Sequence, residues 1–213
     1  RYDLNRDDLN FENINNFLDI IKEVSKVAFM PITIGGKIRK LEDIEKYILS
    51  GADKVSINTA AQLDPNFISQ MAKEFGSQCV VNSVDLKKVN GKYKIFHTCG
   101  KIESQYSLES WIKISQDNGA GEFLINSIDQ DGAGKGFDIE LAKFVNSISN
   151  IPVIFIGGAG ENEHFYELLS ETNIDAVAAA NYFQFSDQST YLTKKYLFEK
   201  NLNFREPRIF KIL

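Results

Sequence analysis

The chain has 213 residues, 43% hydrophobic and 25% charged, with a net charge of −5. That apolar content supports a packed core and excludes wholesale disorder, and the acidic balance argues against a nucleic-acid binder. No apolar run approaches the ~20 residues of a membrane span, RYDLNRDDLN is too polar for a signal peptide, and two cysteines, Cys79 and Cys99, exclude a disulfide scaffold or a four-cysteine zinc site, so a reducing, cytoplasmic setting is expected.

In chain order, RYDLNR (1–6) reads as the end of a strand. A helix follows over 13–28, with Ile14, Phe17, Leu18, Ile21 and Val24 on one stripe. PITIGG (31–36) is the next strand, then a helix carrying Leu41, Ile44, Tyr47 and Ile48, then the strand KVSIN (54–58). Asp64–Pro65 suits a helix start, and Phe67, Ile68, Met71 and Phe75 continue the stripe. CVVNSVD (79–85) is a strand in which Cys79 reads as inert core. Asn90–Gly91 then turns a hairpin within 88–102. Helices are expected at 107–118 (with Trp111 in the core), 138–148, 163–171 and 188–200, and strands at 122–129, 152–158 and 175–181. The strands are near-continuous apolar runs, as in parallel sheets covered on both faces. Their alternation with helices predicts an α/β protein of βα repeats. Neither a linker nor a low-complexity tract interrupts it, so residues 1–213 read as one domain.

Residues 31–61 and 151–183 repeat each other. Each block reads strand, Gly-Gly, helix, Asp, strand, then small or polar residues. Gly35–Gly36 and Gly157–Gly158 stand at the same offset as Asp53 and Asp175. Self-similarity at half-barrel scale predicts a TIM (βα)8 barrel, a fold of about 250 residues. The symmetry mate of Asp85 would fall before residue 1, so the expectation is an N-terminally incomplete barrel whose first βα unit is missing from this sequence.

Glycine pairs after a strand and before a helix suit phosphate, because backbone and helix N–H groups can approach the anion. Two of them, Gly35–Gly36 and Gly157–Gly158, suggest a ligand with two phosphates. Asp85 closes its strand, where barrel enzymes carry catalytic acids; an N-cap or an ion pair with Lys87 or Lys88 is the bland alternative. Asp129, Asp131 and Gly132 follow the strand at 122–129, as a ligand loop or a plain turn. Lys54 and Glu122 open their strands and point to the lower end of a barrel interior, as an ion pair or something more. No calcium-loop pattern is present, and His97 with Cys99 does not amount to a metal site, so no metal is expected.

VSINTAA, EFGSQCVV, GAGEFLINSIDQDG, KGFD and GGAG followed by EHF resemble the cyclase subunit family of imidazole glycerol phosphate synthase, from about residue 3 to 185. The resemblance implies a TIM barrel that receives ammonia from a glutaminase subunit through the barrel bottom. At the top, the ammonia reacts with a bis-phosphorylated phosphoribulosyl-formimino carboxamide ribotide. The products are imidazole glycerol phosphate and an aminoimidazole carboxamide ribotide, an intermediate step of histidine biosynthesis. By the same resemblance, Asp85 is one of two catalytic aspartates, the other lying on the first strand. Gly36, Asn58 and Thr59 belong to one phosphate seat. Asp131, Gly132, Gly157, Gly158, Ala180 and Asn181 belong to the region of the other. Thr33 lies near the reacting centre, Lys54 and Glu122 are half of a four-charge ammonia gate, and Asp53 communicates with the glutaminase. Ring closure needs proton transfers that carboxyl groups can perform, so no cofactor is expected.

The chain departs from the family pattern at Lys37 (a glycine there), Asn126 (threonine), Ile156 (serine) and Asn181 (serine). These substitutions cluster at the ligand face. They also fit a paralogous cyclase-like subunit, an ammonia-channelling partner of a sugar amidotransferase that makes acetamidino sugars of surface polysaccharides. The isomerase that precedes the cyclase is a more distant match, because FGSQ and SIDQDG follow the cyclase.

Overall fold

A computed structural model describes residues 14–185 and 187–208. The strand end expected at 1–6 lies outside the described residues. The chain divides into two compact units, one containing 14–85 and 94–124, the other 86–93 and the described residues from 125 onward.

The first unit opens with α1 (Ile14–Val27), β1 (Thr33–Gly35), α2 (Leu41–Leu49), β2 (Lys54–Ile57), α3 (Thr59–Leu63), α4 (Asn66–Phe75) and the start of β3 (Val80–Val89). After the hairpin formed by β4 (Lys92–His97) and β5 (Ile102–Glu103) come α5 (Leu108–Asp117) and the first half of β6 (Glu122–Ser127). β1 pairs with β2 and β2 with β3, all parallel, and β3 neighbours β6. Parallel neighbours require a crossover, which the amphipathic helices supply. They bury Ile44 from α2, Ile68 and Met71 from α4, and Trp111 and Ile112 from α5. The expected Trp111 core position is therefore found, with its ring tilted against Tyr106 at 5.1 Å between centroids. Of the α1 stripe, Ile21 is buried, whereas Phe17 and Val24 are 41% and 45% exposed. α5 starts on Ser107, whose Oγ accepts the Ser110 N–H at 3.2 Å. Cys79 sits half-buried in a 3-10 turn just ahead of β3, outside the strand core where it was expected.

In the second unit, the end of β3 and the second half of β6 are joined by α6 (Ile139–Ile148), β7 (Val153–Ile156), α7 (Asn162–Glu171), β8 (Ala176–Ala178), α8 (Asn181–Phe185) and α9 (Ser189–Glu199). The hydrogen-bonded strand order here is β3-β6-β7-β8, with β7 and β8 parallel. Along β3 and β6, Gly121 N–H donates to Val80 C=O and Ile128 N–H to Leu86 C=O, the rising succession of a parallel pair. Parallel neighbours with helical crossovers have the connectivity of a (βα)8 barrel, as the repeat predicted. The run expected as a strand over 175–181 splits into β8 and the start of α8. A short small-residue run does not distinguish strand from helix by pattern alone.

β3 outlasts its expected end because pairing with β4 carries it on to the Asn90–Gly91 turn. A clamp holds that hairpin stem. Tyr93 Oη donates to Asp138 Oδ1 at 2.9 Å, Lys88 Nζ pairs with Glu140 at 2.7 Å, and Lys88 N–H donates to Asp129 Oδ2 at 2.7 Å. Asp138 also caps α6, accepting the Leu141 N–H at 3.0 Å. Burial, then the hydrogen bond to Asp138 and the two nearby carboxylates, push the Tyr93 phenol well above its ordinary pKa. Tyr93→Phe is expected to lose about 1 kcal/mol at pH 8, measured by urea unfolding. Because the phenol's pKa is raised on folding, its contribution is full below the unfolded value. The gap between wild type and variant is therefore expected to shrink as pH rises past about 10.

Candidate functional site

The strand pleat sorts residues between two faces. In β2, Val55 and Ile57 are buried while Lys54 and Ser56 are half-buried; in β6, Phe123, Ile125 and Ser127 are buried while Glu122, Leu124 and Asn126 are not fully so. One face packs on helices, and the other carries charge at the strand starts and amides towards the strand ends.

In the first unit, Asp85 is 6% exposed and its Oδ2 accepts from Asn58 Nδ2 at 2.9 Å. Asp85 lies in β3 and Asn58 directly follows β2, so pairing of the two strands brings them together. Lys88 is committed to Glu140, which removes it from the bland alternative for Asp85. Among the described residues, Asn58 Oδ1 is buried without a hydrogen-bond partner. Thr59 opens α3, and its Oγ1 accepts the Thr98 N–H at 3.0 Å. Thr98, Cys99 and Gly100 all have positive φ (53°, 55° and 74°), so the hairpin tip is folded back onto Thr59 at a backbone cost. Burial lowers the His97 pKa and favours the neutral imidazole, whose Nδ1 lies 2.9 Å from Thr98 Oγ1.

Thr33, Gly36 and Lys37 lie exposed at and after β1. A Cβ on Gly35 would meet Ser56 Cβ at 3.0 Å, whereas one on Gly36 would meet none of the described residues within 4 Å. Gly36, at φ 110°, therefore borders open space. Lys37, at φ 55°, holds a left-handed conformation that ordinarily favours glycine. Lys54 and Glu122 form an ion pair, 27% and 20% exposed.

The second unit carries the other residues. Asn126 is half-buried. Asp131 N–H closes a turn onto Ser127 C=O at 2.9 Å, and Gly132 follows at φ 72°. Gly157 and Gly158 are buried at φ 101° and 120°. A Cβ on Gly157 would stand 2.7 Å from Ser127 O, and one on Gly158 would stand 2.0 Å from Gly136 O. Here the glycines are required by backbone packing, quite unlike Gly36. Ala180 and Asn181 are exposed at the start of α8.

The repeat is real at the level of hydrogen bonds. Asp53 Oδ2 accepts the Ile32 N–H at 2.8 Å, and Asp175 Oδ2 accepts the Val153 N–H at 2.9 Å. Each aspartate thus latches the start of the preceding strand. The register differs by one, however: Gly35 pairs with Ser56, but Ile156, not Gly157, pairs with Ala178. Asp53→Ala and Asp175→Ala are each expected to cost about 1–2 kcal/mol in chemical unfolding.

Sequence reasoning missed the Tyr93–Asp138 clamp and the bond from Gly160 to His164. Only the EHF motif around His164 pointed that way. No group of His, Cys, Asp and Glu among the described residues could hold a metal ion. None of the described helices is long and apolar enough to cross a membrane.

Parallel βα connectivity, glycine turns after two strands and a buried carboxylate within a third define the class: a parallel βα-repeat protein with barrel connectivity. The family profile described as "Histidine biosynthesis protein" matches residues 7–189, and the chain belongs to that family. It is 43% identical over 192 residues to an imidazole glycerol phosphate synthase subunit HisF of Dictyoglomus thermophilum, covering 90% of this chain and 76% of that one. The subunit of the same name from Campylobacter concisus is 42% identical over 183 residues (86% and 72%), and that from Chlorobaculum parvum 43% over 194 (91% and 77%).

Proposed function

We propose that the chain is the cyclase subunit of an imidazole glycerol phosphate synthase, an ammonia-dependent lyase of histidine biosynthesis. The observation that carries this is Asp85, a carboxylate buried within β3 and oriented by Asn58, in a chain whose relatives are subunits of that synthase. In this reading Asp85 moves protons at the reacting centre, near Thr33. Ring closure makes and breaks bonds to nitrogen, and a carboxyl group placed by an amide is suited to give and take those protons. Gly36, Lys37, Asn58 and Thr59 hold one phosphate of the ribotide. Asn126, Asp131, Gly132, Gly157, Gly158, Ala180 and Asn181 serve the other. The Lys54–Glu122 pair stands where ammonia from a glutaminase subunit enters, with Asp53 on the partner face. Channelling keeps ammonia unprotonated, which free solution at neutral pH would not.

The test is turnover of the formimino carboxamide ribotide by the full-length protein with an ammonium salt. Turnover that disappears in Asp85→Asn supports the assignment; a folded protein without turnover overturns it. Lys37 at φ 55°, where the family pattern has glycine, favours a second reading: a cyclase-like partner that channels ammonia to a sugar amidotransferase. That reading expects no ribotide turnover and co-purification with a glutaminase and such an amidotransferase.

A further inference from the structure

The second glycine seat is two loops pressed together with no room for side chains. Gly136 N–H donates to Gly158 C=O at 2.9 Å. A Cβ on Gly160 would stand 2.2 Å from Gly134 O, the counterpart of the 2.0 Å approach between Gly158 and Gly136 O. One side chain braces both loops. His164, in the first turn of α7, accepts the Gly160 N–H at Nδ1 over 3.1 Å, and its ring lies beside Gly136, where an added Cβ would be 3.6 Å from Cδ2. The accepting Nδ1 fixes the tautomer, with the proton on Nε2, which faces the Glu161 carboxylate at 3.4 Å. The imidazole is 14% exposed and Glu161 69%. Glu161, at the helix N-cap, makes no side-chain capping bond of its own. The third helical residue instead reaches back over the helix start, as in a capping box, to a donor on the glycine loop.

We infer that His164 is a positioning residue for this phosphate seat. Its neutral imidazole takes up the Gly160 N–H and sets the two loops in a single arrangement, so that the remaining backbone N–H groups present a formed cradle. This rests on the proposed reading that Gly132, Gly157 and Gly158 belong to a phosphate seat. A preformed cradle binds more tightly than one ordered on binding, because the ordering cost is already met. His164 does not touch the reacting centre, so its loss affects substrate binding more than the chemical step.

The experiment is steady-state kinetics of the full-length protein with the ribotide and ammonium salt, on wild type, His164→Ala and His164→Asn. Asparagine can place an amide oxygen near the position of Nδ1. The expected result is a KM raised about tenfold in His164→Ala with kcat held within about threefold, and a KM largely restored in His164→Asn. An unchanged KM in His164→Ala, or an Asn variant as impaired as Ala, overturns the inference. A wild type without turnover overturns the functional reading instead. The brace is then judged by amide hydrogen exchange at Gly160. Protection lost in Ala and regained in Asn supports it, and equal protection in all three proteins overturns it.

Discussion

Asp85→Asn is expected to lower ribotide turnover with ammonium salt by about 10²–10⁴-fold, the usual contribution of a positioned acid–base group. The substitution keeps the size of the side chain, and an amide oxygen at position 85 can still accept from Asn58 Nδ2, now at 2.9 Å from the carboxylate. With the Asn58 contact kept, the larger cost falls on proton transfer. Thermal unfolding should stay within a few degrees of wild type, an ordinary result for a change that opens no cavity. A variant that keeps more than about a tenth of wild-type turnover would remove Asp85 from the acid–base role. The natural companion is Asn58→Ala, which leaves the carboxylate in place without its amide donor and separates orientation from proton transfer.

The largest stability effect is expected at Gly158→Ala. The added Cβ would stand 2.0 Å from Gly136 O and 2.6 Å from Gly136 C, both backbone atoms, at a residue with φ 120°. A backbone wall cannot rotate away as a flexible side chain can. The loop would have to give up its hydrogen bond to Gly136 as well as accept the strain. The expected loss is about 3 kcal/mol or more. Gly36→Ala shares the positive φ but meets none of the described residues within 4 Å, so a conformational cost of about 1 kcal/mol is expected. Urea unfolding of the two variants side by side checks this. Equal losses would mean that the second glycine pair is not held by backbone contact. If both seats hold phosphate, Gly36→Ala should weaken ligand binding out of proportion to its small stability cost, because its Cβ would enter open space.

Much of the architecture was legible because periodicity and punctuation are local. The strands at 54–57 and 153–156 and the helices after Asp64–Pro65 and Ser107 follow from apolar spacing and helix-start residues, which act over a few neighbours. Asp85 stood out because a carboxylate ending an apolar strand is chemically out of place. The repeat was visible in the offsets of Gly-Gly and Asp, and its latch, an aspartate holding the preceding strand, is found in both copies. The one-residue difference in register was not visible, since pairing across strands depends on packing between segments far apart in sequence.

The same division runs through the site. By itself, the sequence determined the parallel βα order, the residue types at the strand ends and membership of a family, because each is carried by short motifs and local spacing. Only the tertiary structure decided that Asn58 orients Asp85, that Lys88 goes to Glu140, and that Lys54 and Glu122 meet. It alone distinguished two glycine pairs that look alike as text: one borders open space at Gly36, and the other is pressed against Gly136 and braced by His164. A glycine records only that a side chain is absent. Whether ligand, solvent or another backbone fills that space depends on which distant segment folding brings beside it.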